Sequence, residues 1–151
     1  TPNLTFSGGL TLLNDRFTSF PNAIFAFQVP GGLDNEILSA AGNRLPQTAD
    51  FTATVNGDYH VPTNFGGAGV NLSYSYNSGY FSQPDNILRQ PSYSTLAASF
   101  RFELKNGIAL SLWGRNLTNA KIAQTLAAGG FNSIVSYAPP LTYGATVSAK
   151  F

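Results

Sequence analysis

The chain has 151 residues, of which 10% are charged and 13% aromatic, and a formal net charge of +1 from 8 basic and 7 acidic side chains. This length fits one domain, and the charge balance excludes a basic nucleic-acid binder, which needs surplus Lys and Arg against phosphate. The aromatic content excludes a disordered tail, scarce Glu and Lys exclude a charge-laced helical bundle, and the absence of cysteine excludes disulfides, thiolate metal sites and a Cys nucleophile.

The chain begins at Thr1, contains no Met and has no signal-peptide pattern. It reads either as a piece of a longer protein or as a processed secreted one. No run of about 18 apolar residues is present to form a membrane-spanning helix.

Alternation with period two dominates the sequence. It predicts a first strand over Leu4–Leu13, with Leu4, Phe6, Leu10 and Leu12 opposite Thr5, Ser7 and Thr11. A long connection, Asn14–Asp50, follows. Within it Ile24–Val29 suits a short strand outside any membrane, whereas Gly32–Leu45 is too polar and broken for a barrel strand. The second strand is predicted at Phe51–His60, and the Pro/Gly-rich stretch Val61–Gly69 reads as a turn. The third and fourth strands fall at Val70–Tyr80 and Thr95–Leu104, joined by the longer Phe81–Ser94. Lys105-Asn106-Gly107 is a tight hairpin signal leading into Ile108–Arg115. Asn116–Leu141 then precedes a sixth strand, Thr142–Phe151.

None of the charged residues falls on the apolar face of these six strands. Two architectures suit such strands: a soluble sandwich with the apolar face inside, or an outer-membrane barrel with that face in lipid. The polar face carries mainly Ser, Thr, Asn and Gly, not the Lys and Glu that guard water-facing sheets. Tyr59, Phe102 and Phe151 lie near one rim, and Phe51, Tyr80 and Tyr143 near the other, in the manner of aromatic girdles. Short turns alternate with long loops, and the strands approach the about 9–11 residues that span a bilayer. These features favour the barrel. A barrel must close to satisfy its backbone, and the smallest bacterial ones have about eight strands, so six imply further strands elsewhere.

His60 is the single histidine and shares the polar face with Asp58. The pair raises a hydrolase or a metal site, but no third ligand is near in sequence, and a rim histidine explains it as well. Gly66-Gly67-Ala68-Gly69 lacks the Lys-Ser/Thr of a phosphate loop and reads as a turn. No catalytic residue, metal site or cofactor is assigned.

Leu110-Ser-Leu-Trp-Gly-Arg-Asn-Leu-Thr-Asn119 resembles the penultimate strand of TonB-dependent outer-membrane receptors. Pro140-Leu-Thr-Tyr-Gly-Ala-Thr-Val-Ser-Ala-Lys-Phe151 resembles their closing strand. Gly42-Asn-Arg-Leu-Pro46 and Arg89-Gln-Pro-Ser-Tyr93 match segments leading into two earlier strands, in family order. Leu141, Asn119 and Ile122 depart from the frequent Arg, Asp and aromatic.

The resemblance implies an all-β chain, residues 1–151, forming the last six or so antiparallel strands of a larger barrel of about 22 strands. The family's N-terminal plug and TonB box lie outside it. It implies energy-coupled uptake of a scarce nutrient, such as a siderophore, vitamin or oligosaccharide, across the bacterial outer membrane. The alternative is a small passive porin or structural barrel. The implied partners are the TonB complex through the plug, the barrel-assembly machinery reading Phe151 as a terminal signal, outer-membrane lipid and lipopolysaccharide, and a small ligand. Asp58, Arg101, Glu103, Trp113, Arg115 and Lys150 would face the lumen and the plug, with Arg101 and Glu103 as an ion pair. Phe25, Phe27, Asp85 and Arg89 would be loop residues available to substrate.

Overall fold

The computed structural model describes residues 2–129 and 132–150. Six strands form one antiparallel sheet: β1 (Leu4–Leu12), β4 (Phe51–Thr63), β5 (Gly66–Asn77), β8 (Tyr93–Leu104), β9 (Ile108–Arg115) and β12 (Thr142–Ala149), in that spatial order. Three two-stranded ribbons lie in the long connections: β2 (Ala23–Val29) with β3 (Gly32–Leu38), β6 (Tyr80–Phe81) with β7 (Arg89–Gln90), and β10 (Ala123–Ala128) with β11 (Ser133–Tyr137). The described residues contain no helix.

Register keeps like with like. Leu10 lies opposite Ala53, Val55 opposite Tyr74, Val70 opposite Phe100, Phe100 opposite Leu112, and Leu112 opposite Ala145. The other face pairs Ser7 with Asn56, Asn56 with Ser73, and Thr146 with Ser111. A slip of one residue would mix the faces along a whole strand. The apolar face has no second layer over it: Phe6 is 71% exposed and Tyr143 80%. In a sandwich these side chains would be covered, so the sandwich alternative is set aside. The sheet is open, with β1 and β12 as its edges. In hydrocarbon, both edges require further strands to pair their backbone.

Several boundaries differ from the sequence expectation. Val61–Gly69 is not a loop: β4 and β5 run on to Thr63 and Gly66, leaving only Asn64-Phe65 as the turn. Pro62 is tolerated because β1 stops pairing before it. The His60 N–H points toward β1 and reaches Asn3 O at 2.8 Å, so Pro62, two residues on, lacks an N–H only on the unpartnered side. Gly66 is required because a Cβ there would collide with the Glu103 carbonyl. The third strand ends at Asn77, whose side chain accepts the Gly79 N–H at 2.8 Å. Gly79 at φ 88° turns the chain away, which puts Tyr80 in the loop ribbon and not in a girdle. Gly32–Leu38 does form a strand, although it pairs with Ala23–Val29 outside the main sheet. Phe151, predicted as an assembly signal, lies outside the described residues.

The buried residues sit in the loops. Ala23, Ala26, Ala40, Ala123, Arg44, Asp85 and Gln90 are buried there, and in the main sheet only Ala109 and Gly114 are, among the described residues. The long connections lock together through side chains on backbone groups. Asn86 accepts the Arg44 N–H at 2.8 Å and donates to the Arg44 carbonyl at 3.0 Å. Asn43 donates to Pro84 O, and Asp85 accepts from Ala26 N. Gln90 accepts the Ala123 N–H at 2.7 Å and donates to Lys121 O at 3.3 Å. Gln83 accepts from Ala128 N, and the Tyr80 hydroxyl donates to Ala123 O. Each buried backbone group so satisfied would otherwise cost about 1–3 kcal/mol.

Two outcomes follow for the full-length protein. Gly66→Ala should lower the urea midpoint by an amount equivalent to about 2 kcal/mol or more, the scale of overpacking against backbone; an unchanged midpoint would contradict the Glu103 contact. Asn86→Ala should raise amide exchange at Arg44 by about tenfold while leaving β4 and β5 protected. Equal exchange in both proteins would show that the loops are not clamped there.

Candidate functional site: the polar wall and its loop layer

The polar face of the sheet carries short hydrogen-bonding side chains in cross-strand rows, as its register dictates. Ser73 donates to Asn56 Oδ1 at 2.7 Å, Asn56 to Ser7 Oγ at 3.5 Å, and Ser75 and Thr95 share a bond of 2.7 Å. The sequence points to six titratable side chains on it, Asp58, His60, Arg101, Glu103, Arg115 and Lys150, and to one aromatic, Trp113. The wall does not gather them into one cluster.

Arg101 and Glu103 meet at 3.4 Å, with about half of each side chain exposed. A pair so exposed contributes little, about 0–1 kcal/mol. Asp58 accepts from Asn71 at 3.4 Å. His60 lies across two glycines of β5: a Cβ on Gly67 would stand 3.1 Å from its Cε1, and one on Gly69 3.5 Å from its Nδ1. Asp58 and His60 share no hydrogen bond among the described residues, so the dyad raised from sequence is not formed. No group of three metal-binding side chains occurs among the described residues. Lys150 is held through its backbone, donating to Gly107 O at 3.0 Å in the Asn106-Gly107 hairpin.

Trp113 and Arg115 stand near the loop end of β9. The indole lies flat because its β12 neighbour is Gly144, where a Cβ would come within 2.5 Å of the ring. Its Nε1 donates to Thr146 Oγ1 at 3.4 Å, and the Arg115 guanidinium sits 5.5 Å above the ring centroid.

The loop residues divide. Phe25 and Phe27 stack at 6.2 Å on β2, with Phe27 exposed. Arg89 lies 5.8 Å from the Phe81 ring centroid, and Arg44 lies 5.9 Å from the same centroid. Asp85 is 6% exposed and accepts from Ala26 N and Ile87 N. Its carboxylate turns inward and ties loops together, so it is not presented to solvent.

Sequence reasoning quoted Arg44 and Asn116–Asn119 within motifs without reading their bracing role in this layer. Arg44 pairs with Asp50 and donates to Thr48 O at 3.2 Å. Asn116, at φ 48°, closes β9. Its side chain accepts the Ala120 N–H at 2.9 Å and donates to Ala120 O at 3.0 Å and Pro139 O at 3.3 Å. Thr118 donates to Ser94 O at 2.7 Å, Asn119 accepts from Leu141 N, and Leu117 packs on Gly114. The Asn116-Leu-Thr-Asn119 motif thus braces its own connection and ties it to the start of β8. A usable sign lay in the Asn residues after strands and in Pro84-Asp85-Asn86, which favour left-handed and turn conformations.

The TonB dependent receptor-like, beta-barrel family model matches residues 3–117. No curated protein matches. Among solved structures, the ferric yersiniabactin uptake receptor FyuA from Yersinia pestis aligns with a TM-score of 0.77 at 17% identity, over 100% of this chain and 21% of that one. At that identity the likeness is one of fold, and the chain spans about a fifth of FyuA. With the family model covering most of the chain, and antiparallel strands that align throughout with such a barrel, this chain belongs to the TonB-dependent receptor-like β-barrel family.

Proposed function

We propose that this chain is the C-terminal portion of a TonB-dependent receptor barrel in a bacterial outer membrane, and that the whole protein takes up a scarce small nutrient with energy delivered through TonB. The observation that carries this reading is a two-sided wall: a chargeless apolar face without cover, and a Ser/Thr/Asn face beneath an interlocked loop layer. The first suits hydrocarbon and the second a hydrated lumen. The family match supports the coupling to TonB, and ferric yersiniabactin uptake by FyuA supports a siderophore among the substrates, beside a vitamin or an oligosaccharide.

In this reading the three long connections, residues 13–50, 78–92 and 116–141, face outside and receive ligand. A plug and TonB box, supplied by sequence outside these residues, transmit the energy. The apolar face meets lipid and lipopolysaccharide, and Phe151 is read by the barrel-assembly machinery. The chain has no catalytic role, and the polar wall binds and guides without bond chemistry.

The test is uptake by cells expressing the full-length protein, offered a panel of radiolabelled ferric siderophores, cobalamin and oligosaccharides, with and without TonB. Accumulation of one compound that is abolished in the TonB-deficient strain is the expected result. Equal entry in both strains would instead support the passive-porin alternative. His60→Ala in the same protein should leave any hydrolysis of p-nitrophenyl esters at its background rate; a loss would revive a hydrolase built on His60.

A further inference from the structure

One break in the polar wall lies beside Trp113. There Ala97 interrupts the run of hydroxyl and amide side chains, and a hollow of about 260 Å³ opens, bordered by Asn71, Ala97, Ser99, Trp113 and Arg115. Its floor is preformed. Gly144 lets the indole lie flat on the wall, and Thr146 Oγ1 fixes its Nε1 edge. The ring borders the hollow with the Arg115 guanidinium over it, and Trp113 is 37% exposed.

Arg115 supplies the charge. Its guanidinium stands 5.5 Å from the ring centroid, a geometry that orients a flexible side chain at little electrostatic gain when exposed. Among the described residues it has no carboxylate partner: the ion pairs present are Arg44–Asp50 and Arg101–Glu103. Asp58, in the row of Trp113 and three strands away, is engaged by Asn71. A planar fork of donors held beside an aromatic platform, with no anion of its own, matches one ligand chemistry well: a flat group that carries a carboxylate.

We propose that Trp113, Arg115, Asn71 and Ser99 form a ligand subsite on the lumen wall for a planar, carboxylate-bearing group. The planar group packs beside the indole and the guanidinium over it, its carboxylate takes two guanidinium N–H donors, and the Asn71 amide and Ser99 hydroxyl border the far side. This rests on the reading of the polar face as the wall of a ligand path, and it adds the chemistry that path selects.

Benzoate and its neutral counterpart benzamide are suitable probes, titrated against the full-length receptor in detergent by saturation-transfer NMR. Benzoate should bind the unaltered receptor more tightly than benzamide. Arg115→Gln should weaken benzoate by about tenfold or more, as expected for loss of a charged hydrogen-bonding pair, and leave benzamide unchanged. Trp113→Leu should weaken both. Arg115 has no hydrogen-bond partner among the described residues, so its replacement tests the site without disturbing the sheet. The proposal is overturned if benzoate does not bind the unaltered receptor, if Arg115→Gln leaves its affinity unchanged, or if benzamide binds equally well. TonB dependence is measured separately: a receptor with an intact benzoate site and passive entry keeps the subsite and loses the uptake reading.

Discussion

Cross-strand pairing in one fixed register holds this molecule together, and everything else is placed by it. Each of the five pairings in the main sheet sets apolar residues beside apolar ones and hydroxyl or amide side chains beside their like. Because side chains alternate strictly along a strand, this agreement cannot be local. It makes one continuous surface that avoids water and another that can be wetted. Burying Phe6, Leu10 or Val147 in a non-aqueous medium is worth about 1.5–3 kcal/mol each, and the sheet itself offers no such medium.

The second organising feature is the loop layer. Membrane-facing sheets gain their stability from the solvent on one side, so little protein core is needed within them. The connections lack that support and build their own core from small apolar residues and buried amides. Asp85 and Gln90 are buried there because each satisfies a backbone group from another connection, and Arg44 is buried where it binds Thr48 O and Asp50 of its own. The result is a layer cross-braced by Asn86 and Gln90, which gives the wall beneath it a fixed mouth.

Six strands were legible in the sequence because period-two alternation is imposed by two different solvents and repeats along each strand. Leu4–Leu13, observed as Leu4–Leu12, and Ile108–Arg115 needed nothing more. The ribbons β2–β3 and β10–β11 were harder to read. Ala23–Val29 packs against other loops on parts of both faces, so its alternation is blurred, and Gly32–Leu38 is polar because it lies outside the apolar band. Val61–Gly69 misled through its Pro and Gly, which are compatible with a strand where one side is unpaired and a neighbour's backbone crowds Gly66. On the wall, residue types and face were readable, but partners were not. Asp58 goes to Asn71 and not to His60 because register, not sequence spacing, decides who meets. The inward turn of Asp85 depends on long-range packing that no local pattern encodes.

The most direct test of the account is which medium each face touches. The chain has no cysteine, so single cysteines at Leu10, Val55, Leu72 and Val147, and at Ser7, Thr54, Ser73 and Thr146, provide unique spin-label sites within it. In the full-length protein reconstituted in lipid bilayers, the first set should be relaxed by dissolved oxygen and the second by a water-soluble nickel chelate. Leu10, Val55, Leu72 and Val147 shielded from both reagents would mean that protein covers them, and a membrane-spanning wall would be the wrong description.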